Sequence, residues 1–249
     1  MMQNIETPHL PQGRVRHIII GEKYRNMLQN ALFRYNIDAI WLPDNPYVDD
    51  RLKGHADLSA VHIGNDRIVL TDNLKECEEI NKITSLGYKV SYTPNLSDKY
   101  PCDAKLNFCI LGDRLIHNPK TSDTETVNSL ELSEIRVRQG YTKCSICIVN
   151  DCAVITSDSM IFSCAMDSGI DALLISKPFV KLAGFDYGFI GGASFKISKD
   201  RLAFTGRISD EEIRNSIESF LHKHCVEPIY LTDEEIFDIG SAIPITEDI

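Results

Sequence analysis

The sequence has no long apolar run, no cluster of lysine and arginine, and a single tryptophan in 249 residues. Its longest apolar stretches are strand-sized, well short of the ~20 residues that cross a bilayer, so no membrane span is expected. With 26 basic against 36 acidic residues the formal net charge is -10. Such a surface repels phosphate backbones, which removes nucleic acid from the expected partners. Residues Met1 to Arg16 are polar and have no apolar centre of secretory type, so a cytoplasmic location is expected. The eight cysteines (Cys77, Cys102, Cys109, Cys144, Cys147, Cys152, Cys164 and Cys225) are then expected as free thiols, most of them small buried hydrophobes.

What is present is ordinary globular composition, 43% hydrophobic and 25% charged, arranged as a repeat. Gly54 to Asp72 reads as a hairpin: Leu58, Ala60 and Ile63 lead into the turn Gly64-Asn65-Asp66, and Ile68-Val69-Leu70 returns. Similar phrases follow around Asp113, Asp151 and Asp200. The four turn aspartates are 47, 38 and 49 residues apart (113 − 66, 151 − 113, 200 − 151). A recurring unit of roughly forty to fifty residues signals a repeat architecture.

Each hairpin is followed by helix-spaced apolar residues and then a short strand. Asn73 to Gly87, Thr124 to Leu132, Ser159 to Ser168 and Ser209 to His222 read as the helices, the last opened by a Ser-x-x-Glu capping box, Ser209 to Glu212. Lys89–Thr93, Glu134–Arg138, Asp171–Ile175 and Glu227–Leu231 read as the closing strands. Arg14 to Leu42 is strand, helix, strand, and lacks one strand. The tail Phe237 to Ile245 is strand-like and is expected to pair with Arg16 to Ile20, joining the ends of the chain and removing sheet edges. The expected organisation is α/β: one domain, residues 1–249, of five ββαβ modules closed by terminal strand pairing. The modules are approximately 14–53 plus 232–249, 54–98, 99–139, 140–187 and 188–231, with residues 1–13 as an extension.

Five such modules around a pseudo-fivefold axis resemble the pentein, or guanidine-modifying-enzyme, superfamily. The residues that carry the resemblance are His55-Ala56-Asp57, Tyr100-Pro101-Cys102-Asp103 with Asn107, Gln139 to Cys144, and Gly188 to Ser194. Together they look like an uncharacterised pentein-fold family covering Arg14 to Ile245. Relatives implied by the resemblance include arginine deiminase, dimethylarginine dimethylaminohydrolase and arginine:glycine amidinotransferase. In those enzymes a cysteine attacks a guanidinium carbon, a His-x-Asp pair supplies base and substrate anchor, and further carboxylates hold the cation. The family usually places its cysteine after a Gly-Gly stretch in the last module. Here that stretch reads Gly191-Gly192-Ala193-Ser194-Phe195, so the standard site is not intact in its usual place.

Counting back seven positions from the turn aspartates places Ser59, Cys144 and Ala193, and with one residue of slack Asn107, at the entry of inner strands, with His55, Asp57 and Asp103 just upstream. Polar residues converging in an apolar ring are a ligand-site hypothesis. Cys144, with Lys143 beside it, is the candidate nucleophile and His55 the candidate base. Asp57, Asp103, Asn107, Lys143 and Ser194 are candidate substrate-binding residues. Plain core packing is the alternative for Cys144, and backbone satisfaction the alternative for His55 and Asp57.

Other apparent motifs are set aside. Along a strand, Cys144 and Cys147 would point to opposite faces, so they cannot share an ion. His222-Lys223-His224-Cys225 reads as cations near a helix C-terminus before it reads as a metal cluster. Gly188 to Gly192 lacks the Lys-Ser/Thr of a phosphate loop and reads as close backbone approach. The expected function is a hydrolase or transferase acting on a guanidinium, amidine or ureido group of a small metabolite. It uses no cofactor or metal, and its partner is a small-molecule ligand, cationic in the guanidino case. The alternative is a catalytically inactive pentein that binds a ligand or protein.

Overall fold

The computed structural model describes residues 1–249. A strand β1 (Met2–Asn4) precedes β2 (Arg14–Gly21), a short 3-10 turn, α1 (Arg25–Arg34) and β3 (Asp38–Leu42). The second unit is α2 (Ala56–Ser59), β4 (Ala60–His62), β5 (Arg67–Thr71), α3 (Glu79–Ser85) and β6 (Lys89–Thr93). The third is β7 (Cys109–Leu111), β8 (Arg114–His117), α4 (Thr124–Asn128) and β9 (Ser133–Arg136). The fourth is α5 (Thr142–Ser145), β10 (Ile146–Asn150), β11 (Ala153–Thr156), α6 (Ser159–Asp167) and β12 (Asp171–Leu174). The fifth is β13 (Ser194–Ser198), β14 (Arg201–Phe204), α7 (Glu211–Lys223) and β15 (Glu227–Tyr230), and β16 (Ile243–Asp248) ends the chain.

Every repeat pairs its first two strands antiparallel and its last two parallel, as in β10-β11-β12. The reason is local: a two- to four-residue turn returns the chain antiparallel, whereas a parallel partner needs a crossover, which the helix supplies. The tail pairs with β2 as its hydrophobic pattern predicts, with Ile243 opposite Ile19 and Pro244 opposite Ile18. The extension is not loose, because β1 adds to β16 with Met2 opposite Asp248. The result is four sheets: one of seven strands, which joins the first and last units, and three of three strands.

Apolar faces explain the helices. On α7, Ile213, Ile217, Phe220 and Leu221 recur on one stripe and are buried, in a cluster with Phe204, Ile155 and Val180. Each such side chain contributes about 2 kcal/mol by leaving water. Ile217→Ala would leave a void and cost about 2–5 kcal/mol.

Several expectations shift. The capping box at Ser209 does not form: Asp210 is the N-cap, accepting from Ile213 N, while the Ser209 hydroxyl donates to Glu235. An aspartate directly before the first turn competes successfully because its charge also suits the helix N-terminus. Helix α4 ends at Asn128 rather than Leu132, and the helix after β5 begins only at Glu79. Most importantly, Ser59 and Cys144 do not lie on strands. Each sits in a one-turn helix, α2 or α5, that feeds the inner strand.

Candidate active site

The helical turns decide the site geometry. In α5 the Cys144 amide donates to Asn107 Oδ1 at 3.0 Å, and Asn107 Nδ2 lies 3.2 Å from Cys144 Sγ. The Asn107 carbonyl accepts from the amides of Thr142 and Lys143 at 2.9 and 3.1 Å. One asparagine of the third unit thus anchors the first turn of the fourth. The second unit has a counterpart, with Asn45 Nδ2 donating to Ser59 Oγ at 2.8 Å.

On the other side, the Cys144 thiol donates to Asp57 Oδ2 at 2.8 Å. A ring nitrogen of His55, a carboxylate oxygen of Asp57 and the Cys144 sulfur all lie within 4.8 Å of one another. All three side chains are buried, and His55 Nε2 and Asp57 Oδ1 have no hydrogen-bond partner. Buried polar atoms in that condition are the exception in folded proteins. A soft dication could use these donors, but two of the three are already joined through a proton, which suits proton transfer between them.

Burial dominates the electrostatics. It pushes the Cys144 thiol well above its usual range, and the Asp57 and Asp238 carboxylates push it further. Burial also raises Asp57 to about 7, against the lowering effects of the Cys144 hydrogen bond and the Lys143 charge. Burial lowers His55, opposed by Asp238 and assisted by Lys23. Burial and the neighbouring carboxylates thus favour a protonated thiol, and burial favours a neutral imidazole and draws the Asp57 carboxylate toward its protonated form.

Asp238, which sequence reasoning missed, completes the cluster. Its Oδ1 lies 4.0 Å from His55 Nδ1 and accepts from Gly240 N at 2.9 Å, and its Oδ2 accepts from Phe189 N at 2.8 Å. The Asp-x-Gly sequence was the available signal, since aspartate often bonds the backbone two residues on. Gly240, at φ +66°, lies so close to His55 that a Cβ there would sit 2.2 Å from the histidine Cβ. Gly192 is equally constrained, because its Cβ would meet Asp238 Oδ1 at 2.0 Å. The glycine-dense stretch is thus a place of close approach.

Cys144, His55 and Asp238 open into a cavity of about 260 Å³, whose walls include Leu52, Leu58, Tyr141, Tyr187 and Phe189. The cluster, its neutral base and this apolar chamber form one connected site.

A family model described as a family of unknown function, DUF6873, matches residues 19–243. The chain belongs to that family. No curated protein matches it. Among solved structures, the inosamine-phosphate amidinotransferase StrB1 from Streptomyces griseus aligns with a TM-score of 0.58 at 11% identity, covering 98% of this chain and 97% of that one. SxtG, an amidinotransferase of the saxitoxin biosynthetic pathway from Microseira wollei, aligns at 0.53 and 9% identity over 90% of each chain. A cysteine-to-serine mutant of DDAH from Pseudomonas aeruginosa, complexed with citrulline, aligns at 0.51 and 12% identity over 88% of this chain and 93% of that one. This DUF6873 member therefore has the α/β pentein fold of guanidine-modifying enzymes.

The other sequence candidates fall at varying distances from the cluster. Asn107 is in direct contact with it. Asp103 instead accepts a hydrogen bond from the Tyr141 hydroxyl, so it reaches the cavity only through that ring. Burial raises Asp103, and the tyrosine bond opposes the rise. Lys143 lies beneath the site with Nζ on Gly191 O and Ser241 Oγ, at 3.2 and 3.0 Å. The Ser194 hydroxyl donates to Ile190 O at 2.7 Å. Neither Lys143 nor Ser194 lines the cavity. Ala193 is buried in the hydrophobic core. Cys147 packs in that same core, so it and Cys144 occupy separate environments. The strand argument for separating them does not hold, because Cys144 is on a helical turn. At the end of α7, Lys223 and His224 both pair with Asp171.

Proposed function

We propose that this protein modifies a guanidinium, amidine or ureido group of a small molecule, with Cys144 as nucleophile. The observation that carries the reading is the 2.8 Å contact from the Cys144 thiol, which lines the cavity, to the buried Asp57 carboxylate behind it. It is supported by the structural neighbours whose names are amidinotransferases, DDAH and an agmatine deiminase.

A cation entering the cavity stabilises a thiolate, so the Cys144 proton passes to the Asp57 carboxylate. The sulfur lone pair forms an S–C bond to the central carbon while the C=N electron pair moves onto nitrogen. The proton taken by Asp57 passes through His55 to the leaving amine as its C–N bond breaks and the nitrogen lone pair re-forms the C=N bond, so a thiouronium adduct remains on Cys144. Attack on that carbon by water or by an amine, with its proton taken up through His55, then breaks the S–C bond, expels the Cys144 sulfur as thiolate, and gives a ureido product or a new guanidine respectively. Asp238 holds the cation beside His55. Asp103 acts through Tyr141, Asn107 positions Cys144, and Lys143 biases Asp57 from below. Ser194 supports the Gly-Gly turn. No metal is required in this scheme.

We further propose that the five units close into a pseudo-fivefold ring around this site. The contacts between units include a shared cluster of Val61 from β4 and Ile63 just after it with Phe108 and Ile110 from the third unit. No helix is long and apolar enough to cross a membrane, and all eight cysteines are free, which fits a cytoplasmic enzyme.

The deep burial of the thiol also favours a second reading, a non-catalytic ligand binder. Incubating the purified protein with a panel of guanidines and ureides, and following amine release, separates the two. Release that disappears in Cys144→Ala supports the enzyme. Ligand binding without release, unchanged in Cys144→Ala, supports the binder.

A further inference from the structure

We propose that the substrate is a monocation whose guanidine-type head carries an apolar, aromatic-sized substituent, rather than a free amino acid. The inference rests on reading the cavity as a guanidine site and concerns what surrounds the head group. Beyond Cys144, His55 and the hydroxyls of Tyr141 and Tyr187, the polar groups of the cavity are carboxylates, the buried Asp238 and the exposed Asp186. None of the lining residues is lysine or arginine. A substrate carboxylate there would face like charges with no compensating cation, an arrangement that disfavours binding.

The remaining wall is apolar. Tyr141 and Phe189 lie with ring centroids 6.3 Å apart, and Tyr187 meets Phe189 edge-on at 6.2 Å. At such spacing the three rings pack on one another as a continuous aromatic wall, whose cavity side offers a surface to a planar ring or a guanidinium. The volume of about 260 Å³ corresponds to roughly nine waters at the liquid share of ~30 Å³ each, room for a guanidinium and one benzyl-sized group.

The adjoining wider cavity, about 670 Å³, does carry Lys23, Arg51 and Lys181. Arg51, however, is paired with Asp49 at 2.7 Å and lies 4.0 Å over the Phe185 ring, and Lys181 is paired with Glu235. Lys23 alone has no carboxylate partner, and it donates to Arg51 O at 3.1 Å.

Calorimetric binding to the full-length protein tests the proposal with benzylguanidine, agmatine, L-arginine and benzylurea as probes. Benzylguanidine is expected to bind at least about tenfold more tightly than L-arginine. Phe189→Ala is expected to weaken it by at least about fivefold, the scale of one aromatic contact. Asp238→Asn should abolish the preference for benzylguanidine over neutral benzylurea. Equal or tighter binding of L-arginine, lost in Lys23→Met, would overturn this substrate class by placing a carboxylate in the neighbouring cavity, while leaving the guanidine site intact. Failure of every guanidine to bind would overturn the guanidine reading itself, and this inference with it.

Discussion

The Cys144 thiol donates a hydrogen bond to the Asp57 carboxylate across 2.8 Å, and with both groups buried each shifts the other's titration. The carboxylate raises the thiol, and the thiol's hydrogen bond limits how far burial raises the carboxylate. A carboxylate near 7 is a competent proton acceptor at neutral pH, whereas an ordinary aspartate is too weak a base.

Removing the carboxylate should therefore have two opposite effects. In Asp57→Asn the thiol loses a negative neighbour, so alkylation of Cys144 by iodoacetamide at pH 7.5 should accelerate. Turnover should fall by about 10²–10⁴, the usual loss when a positioned base is removed. Peptide mass spectrometry of alkylation time courses, beside steady-state assays, reads both.

The same pair makes stability depend on pH. Asp57 is raised in the folded protein from 3.8 to about 7, so folding favours its protonated form. Its stabilising contribution is full below about pH 4, declines as pH rises toward 7, and is absent above that. The total is on the order of a few kcal/mol. His55 and His62 are lowered by burial and act in the opposite sense, losing stability as pH falls below their unfolded values. Urea unfolding of wild type and Asp57→Asn isolates the aspartate. The variant's advantage should grow from pH 4 to 7 and then level off.

Much of this was legible in the sequence, for identifiable reasons. Period-two apolar residues beside Asp66, Asp113, Asp151 and Asp200 mark the hairpins, because a half-buried strand and a tight turn each demand particular residue types. Ile18, Ile19 and Ile243 disclosed the terminal pairing. The one-turn helices holding Ser59 and Cys144 were not legible, since four residues are too few to display a 3.6-residue period. Asp238 was hidden because it falls in Phe237 to Ile245, which reads as one strand, whereas the strand begins only at Ile243.

The glycine against the histidine gives a third prediction. Gly240→Ala would place a Cβ 2.2 Å from the His55 Cβ at a positive φ, which costs about 1–3 kcal/mol in backbone strain alone. The variant should still fold, with a lower denaturant midpoint and at least tenfold lower turnover. Urea unfolding and activity measured on one preparation check both.

The Tyr141–Asp103 hydrogen bond gives a fourth. Tyr141→Phe and Asp103→Asn should each reduce turnover modestly, less than the losses at Asp57. A double-mutant cycle should return a coupling of about 1 kcal/mol or more, the scale of a hydrogen bond to a charged group. Independent effects would place Asp103 outside the site's support.

The most direct measurement compares the rates at which a cationic haloacetamidine and a neutral haloacetamide label the eight cysteines. If Cys144 is a nucleophile activated by a bound cation, the amidine labels Cys144 first, and its advantage over the amide is confined to that residue and lost in Asp238→Asn. Labelling only at the exposed Cys102, Cys152 and Cys225, with Cys144 inert to both reagents, would contradict the account.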